Sequence, residues 1–226
     1  MESKPYDLHM PHFAAVLTGD LIGSTDAHRA QVERSMAVLA QAAAFLDKKP
    51  DSQCTRFTWD QGDRWQIHLR TPGRFLDVVV FLNAMLRSEP DTLRIRIAIG
   101  LGMVDSLGDT GLGRAHGTAF TESGRGLADL IVAGQTLTLA GPRTDDIQRS
   151  TLAFIDDRMS GWSREQAEVV KLKMAYGDPS QGDIAAKLGI SRQAVGSRLQ
   201  ASGYALIRRA GNAFHDHFDK RESTND

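Results

Sequence analysis

His12-Phe-Ala-Ala-Val-Leu-Thr-Gly-Asp-Leu-Ile-Gly-Ser-Thr25 is the stretch on which the fold turns. Its first six residues form an apolar run that reads as a strand, with Thr18-Gly19-Asp20 as the turn that ends it. Ser24, Thr25 and Asp26 then offer N-cap oxygens. Beyond them Val32, Met36, Leu39, Ala43 and Leu46 recur at helical intervals, which predicts a helix of about five turns with one apolar stripe. A strand feeding a helix through a short glycine turn points to a layered α/β domain.

The segments on either side extend that pattern. Thr55–Trp59 and Trp65–Leu69 flank Asp60-Gln61-Gly62-Asp63 and read as a hairpin. Phe75, Val78, Val79, Leu82 and Leu86 place a second helix over Arg74–Arg87. Leu93–Leu101, with its β-branched alternating start, reads as a central strand. Thr118–Leu139 reads as one long helix closing near Gly141-Pro142, and Thr151–Ile155 as a last strand. The expected class is α+β, a ferredoxin-like sandwich with helices on one face of its sheet over residues 10–158.

Composition narrows the function classes. The chain has 226 residues, 41% hydrophobic and 24% charged, which is ordinary for a folded soluble domain. Apolar runs such as Val78–Leu82 fall far short of the ~20 residues of a membrane span, so no membrane partner is expected. Met1–His9 has no apolar signal core, and the single cysteine, Cys54, has no partner for an internal disulfide. Both point to the cytoplasm. A net charge of −1 argues against a protein that coats nucleic acid indiscriminately. From Gly161 onward, however, ten Lys and Arg face eight Asp and Glu. The sign reverses there, as it would with a small DNA-reading module on an acidic body.

That C-terminal segment, expected as a separate all-α domain over 161–220, has a texture of its own. Ser163 with Gln166 makes a capping box ahead of one helix, Ser180 with Asp183 opens a second, and Ser191 a third. A helix–turn–helix needs a small residue at the crossing, a flexible turn and an apolar lock. Ala185, Gly189 and Val195 occupy those places, with Ile184, Leu188, Ile190 and Leu199 as the lock. In such a unit the N-terminal residues of the second helix meet base edges. They would be Ser191, Arg192, Gln193 and Ser197, with Arg198 nearer the phosphates of double-stranded DNA. The core Asp183-Ile-Ala-Ala-Lys-Leu-Gly-Ile-Ser-Arg-Gln-Ala-Val-Gly-Ser-Arg-Leu-Gln200 resembles the helix–turn–helix of sigma-factor-like and MarR-like regulators. A fourth helix, Tyr204–Phe218, follows. Its His215 and His217 are two apart and face different directions.

In the N-terminal part, Asp20 and Asp63 stand at two turns that one sheet would bring to the same end. Paired carboxylates there suit Mg²⁺, and Gly23, Ser24 and Thr25 at a helix start suit phosphate. Turn and N-cap chemistry explains the same residues without a ligand. Gly19-Asp-Leu-Ile-Gly-Ser-Thr25 and Gly62-Asp63 resemble the two metal motifs of class III nucleotide cyclases. Arg94-Ile-Arg-Ile-Ala-Ile-Gly-Leu-Gly102 is similar to the strand before that family's glycine-rich turn, and Gly117–Arg125 to its helix bearing a transition-state Arg. The blocks resemble those of the SatD family more closely, in the same order and followed by a helix–turn–helix. The resemblance implies Mg or Mn at Asp20 and Asp63, a nucleotide ligand, and Arg125 as the catalytic residue of an active enzyme. Thr121 stands where the cyclases carry Asn. Arg114 stands where they carry a base-reading Asp, and an Arg there suits a phosphate.

The resulting expectation is a DNA-binding transcriptional regulator, acting as a homodimer, whose cyclase-like domain binds a nucleotide and metal or pairs two copies. The alternatives are a metal-dependent nucleotide cyclase or other nucleoside-triphosphate-processing enzyme with a helix–turn–helix appendage, and a dimerisation scaffold.

Overall fold

The computed structural model describes residues 11–48, 56–59, 62–108, 111–175 and 178–219. Cys54, Thr55, Asp60, Gln61 and the segment 1–10 lie outside these residues. A five-stranded sheet runs in the order β2-β3-β1-β4-β5, with β1 (His12–Leu21), β2 (Arg56–Trp59), β3 (Trp65–Leu69), β4 (Ile95–Val104) and β5 (Leu137–Ala140). All neighbours pair antiparallel except β4 and β5. These two are joined by α3 (Thr118–Ala133), the helical crossover a parallel pair requires.

β1 alternates by face. Ala15, Leu17 and Leu21 join Ile67, Ile97, Ile99, Leu139 and the inner sides of α1 (Arg29–Asp47) and α2 (Phe75–Ser88) in the main core. Ala14 and Val16 face α3 instead, with Ala119. The sheet therefore carries helices on both faces, not one. Small residues on β4 allow this. A Cβ on Gly100 would collide with the Ala119 carbonyl, and one on Gly102 with the Thr118 hydroxyl. α3 lies directly on the strand at these two glycines.

Three expected boundaries move. β1 runs through Thr18, Gly19 and Asp20, because pairing with β3 and β4 on both sides outweighs the local turn signal. α1 opens only at Arg29, with His28 at its N-cap and no side-chain cap bond, so Ser24 is free for other work. The long helix over Thr118–Leu139 is broken at Gly134, whose φ of 67° ends α3 and lets β5 begin. The expected strand Thr151–Ile155 lies instead inside α4 (Asp146–Ser160). A capping box between Asp145 and Gln148 starts that helix, and Leu152, Ile155 and Met159 bury one face of it.

The C-terminal helices are α5 (Arg164–Ala175), α6 (Gln181–Leu188), α7 (Arg192–Ser202) and α8 (Tyr204–Asp219). α5 and α8 bury Ala167, Val170, Tyr204, Ile207, Phe214 and Phe218 in the same core as α1 and α2. Phe75 and Phe214 meet at 5.0 Å between ring centroids, and the Gly73 N–H donates to Asp219 across 2.9 Å. α5, α6 and α7 share a smaller core, in which Val169, Leu172, Ile184, Ala185 and Val195 meet. His215 pairs with Asp219 one turn on, while His217 stands edge-on to Phe218. Among the described residues no helix is long and apolar enough to cross a membrane.

Candidate functional site

Asp20 faces the α3 side of the sheet near the end of β1, and Arg96 is its register partner on β4. Both Asp20 oxygens accept from Arg96 Nη1 at 2.9 Å. Arg96 Nε donates in turn to the Gln135 carbonyl at 3.2 Å, so the guanidinium is held from two sides. Burial pushes the Asp20 carboxyl above its ordinary 3.8 and outweighs Arg96, which pulls it down; Asp63 adds a smaller push upward and Arg64 a smaller pull downward. The two carboxylates thus lie within electrostatic reach of each other.

Asp63 is engaged as well: the Ser24 hydroxyl donates to it. Ser24 therefore fastens the β1–α1 connection to the β2–β3 hairpin rather than capping α1. Gly23 has a φ of 78°, and the Asp26 N–H donates to its carbonyl. Gly23 and Thr25 are exposed, in a turn ahead of the helix rather than at its first N–H groups. With Asp20 held on both oxygens by Arg96 and Asp63 by Ser24, these side chains do not fit a Mg or Mn centre. Among the described residues no group of three or more metal-ligating side chains converges.

Beside the cluster an open groove of about 620 Å³ runs between α3 and the uncovered part of β1 and β3. Phe120, Leu127 and Ile131 form its apolar wall, Thr18 and Gln66 its polar floor, and Arg64 its charged end. Thr18 accepts from Gln66 at 3.3 Å and shares a 2.8 Å hydrogen bond with the buried Ser123 of α3. The Leu112 N–H donates to the Thr58 hydroxyl across 2.7 Å, fastening the loop before α3 over the groove.

The other predicted nucleotide residues are scattered. Arg114 and Thr121 are exposed, and the Thr121 hydroxyl donates back to the Gly117 carbonyl at 3.4 Å within its own helix. Arg125 lies on the opposite flank of α3, in a groove shared with β5, and pairs with Glu122 one turn earlier. Within one copy of the chain the ion-pair partner of Arg125 is Glu122, not Asp20 or Asp63.

At the other end of the molecule, Ser180 and Asp183 cap α6 reciprocally. Gly189 closes that helix with a φ of 65°, and the Ala194 N–H donates to Ser191 at the start of α7. Val195 is fully buried, whereas Ser191, Arg192, Gln193 and Ser197 are exposed together. Arg198 is half-buried, within electrostatic reach of Glu165 on α5.

No family model and no curated protein matches the chain. Solved structures similar to it include the active GGEEF domain of a diguanylate cyclase from Vibrio cholerae, at 12% identity and a TM-score of 0.40 over 59% of this chain and 85% of that one. A bacterial light-regulated adenylyl cyclase is similar at 12% identity and a TM-score of 0.40, over 57% of this chain and 76% of that one. A second structure of a bacterial light-regulated adenylyl cyclase gives 11% identity and a TM-score of 0.37, over 57% and 43%. Correspondences this loose transfer no activity to the chain.

Sequence reasoning missed Arg96 as the partner of Asp20. Its signal was present: a charged residue alternating with Ile95 and Ile97 in an otherwise apolar strand has to find a counter-ion.

Proposed function

We propose that the chain is a DNA-binding regulator that reads double-stranded DNA with α7 and acts as a symmetric homodimer. One observation carries the reading. Ser191, Arg192, Gln193 and Ser197 share an exposed face at the N-terminal half of a helix whose other side is locked by Val195. Arg is suited to guanine and Gln to adenine, each through two hydrogen bonds in the major groove. A two-fold pair of such helices reads half-sites one DNA turn apart.

The test is a comparison of variants on a DNA pool bound by the wild-type protein. Arg192→Ala with Gln193→Ala should abolish discrimination between bound and scrambled sequences. Arg198→Ala should weaken both alike and lower the salt dependence. Unaltered discrimination in the double variant would refute the assignment.

A nucleotide ligand in the α/β body is a second reading, favoured by the groove beside Asp20. Its apolar wall suits a base, and Arg64 at its end suits a phosphate. ATP and GTP should then raise the melting temperature of the wild type but not of Arg64→Ala. A shift that survives in Arg64→Ala would place the nucleotide elsewhere.

A further inference from the structure

A smaller cavity of about 200 Å³ lies where the end of α2 and the loop before β4 meet Trp162 at the start of α5. Arg87 and Arg94 both line it, with Asn83, Thr92 and Trp162. Arg87 Nε is buried and has no hydrogen-bond partner among the described residues. Burial pushes this guanidinium down from its ordinary value, and the like charge of Arg94 pushes it further, against the pull of Asp156.

The nearby acids do not resolve this excess of positive charge. Asp156 accepts from Thr136 and lies within electrostatic reach of both arginines. Glu89 and Asp91 line the cavity too, but Glu89 is paired with Lys171 at 3.2 Å and Asp91 with Arg34 at 3.5 Å. The Thr92 hydroxyl donates to the Leu86 carbonyl at 2.7 Å, and the Asn83 amide donates to the Val79 carbonyl at 3.0 Å. Two guanidinium groups line one polar cavity, an arrangement that suits an oxyanion. Forked donors match the oxygens of a phosphate or carboxylate.

We infer that this cavity binds the oxyanion group of a small phosphorylated or carboxylated metabolite between Arg87 and Arg94. Its volume lies below the range of pockets that hold drug-sized ligands, so a nucleotide is too large for it. The location gives binding a route to α7. Trp162, one wall of the cavity, donates its indole N–H to the Ser202 carbonyl at 2.8 Å, at the C-terminal end of that helix. Arg164 Nε donates to the Ser88 carbonyl at 3.0 Å and ties α5 to α2 beside it.

The experiment labels the full chain with 5-fluorotryptophan and follows the three tryptophan ¹⁹F resonances, with Trp162 assigned by Trp162→Phe. Inorganic phosphate and malonate are titrated separately at constant ionic strength, with chloride as the control. A saturable shift of the Trp162 resonance, with Trp59 and Trp65 unmoved, is expected from one of the two anions. The tighter anion identifies the ligand as phosphorylated or carboxylated. Arg94→Gln, at an exposed position that leaves the core intact, should weaken binding roughly tenfold or more. Movement no larger than chloride produces, or equal affinity in Arg94→Gln, overturns the inference.

Discussion

Arg96 holds both carboxylate oxygens of Asp20 across the β1–β4 pairing, each at 2.9 Å. This ion pair occupies the end of the sheet where two carboxylates in the sequence invite a metal reading. It has a consequence for pH. The folded Asp20 carboxyl binds its proton more tightly than at its ordinary 3.8, because burial outweighs Arg96. The contribution to stability is therefore fully present below 3.8 and is lost as pH rises through the folded value. Urea unfolding across acidic pH should show wild-type stability falling relative to Asp20→Asn as pH rises through that window. Parallel curves would contradict this.

Freeing Asp20 should make the site more receptive to cations. With Arg96→Met, neither Asp20 oxygen has its guanidinium partner, while Asp63 remains nearby. Broadening of NMR signals by Mn²⁺ should then centre on β1 in the variant, at lower Mn²⁺ concentrations than any such effect in the wild type. Equal or weaker broadening in the variant would show that Arg96 is not what keeps a cation out.

Gly100 tests the seat of α3. Its Cβ position is already filled by the Ala119 carbonyl and the Ser123 backbone. Gly100→Ala should cost about 1–3 kcal/mol by overpacking. Gly124→Ala, on the same helix with open space at its Cβ position, should be neutral or stabilising. Denaturant midpoints measure both, and equal midpoints would mean that α3 does not press on β4 at Gly100.

Much of this fold was legible because its signals are local. The caps of α6 and α7, with Gly189 between them, lie within twelve residues, and those residues alone signal them. The β2–β3 hairpin and α2 were equally plain. What was not legible depended on pairing between distant segments. Leu137 and Leu139 alternate over only four residues, and Leu130 sits one helical repeat before Leu137. The chain therefore reads as helix until the parallel pairing of β5 with β4 decides otherwise. Thr18–Asp20 carry turn residues, but neighbours on both sides keep them extended. At the site, the order of elements is what leads one to expect Asp20 and Asp63 at the same end of the sheet. The grip of Arg96 required the β1–β4 register, which no local pattern supplies.

The turn between α6 and α7 is open to a direct stability test. Gly189 holds a φ of 65°, and nothing stands near its Cβ position, so Gly189→Ala is strained by backbone conformation alone. A loss of about 1–2 kcal/mol is expected. Hydrogen exchange should localise the loosening to α6 and α7, leaving the sheet protected. Uniform loss of protection would mean that these helices do not open separately.

The most direct measurement of the DNA-binding reading is selection of duplexes from a randomised library by the purified chain at physiological salt. The prediction is enrichment of a two-fold-symmetric sequence with half-sites about 34 Å apart, the spacing of helix–turn–helix dimers. The selected duplex should bind Arg192→Ala/Gln193→Ala at least about 30-fold more weakly, from two bidentate contacts at about 1–3 kcal/mol each. No enriched sequence, or a selected duplex bound equally well by the double variant, would contradict it.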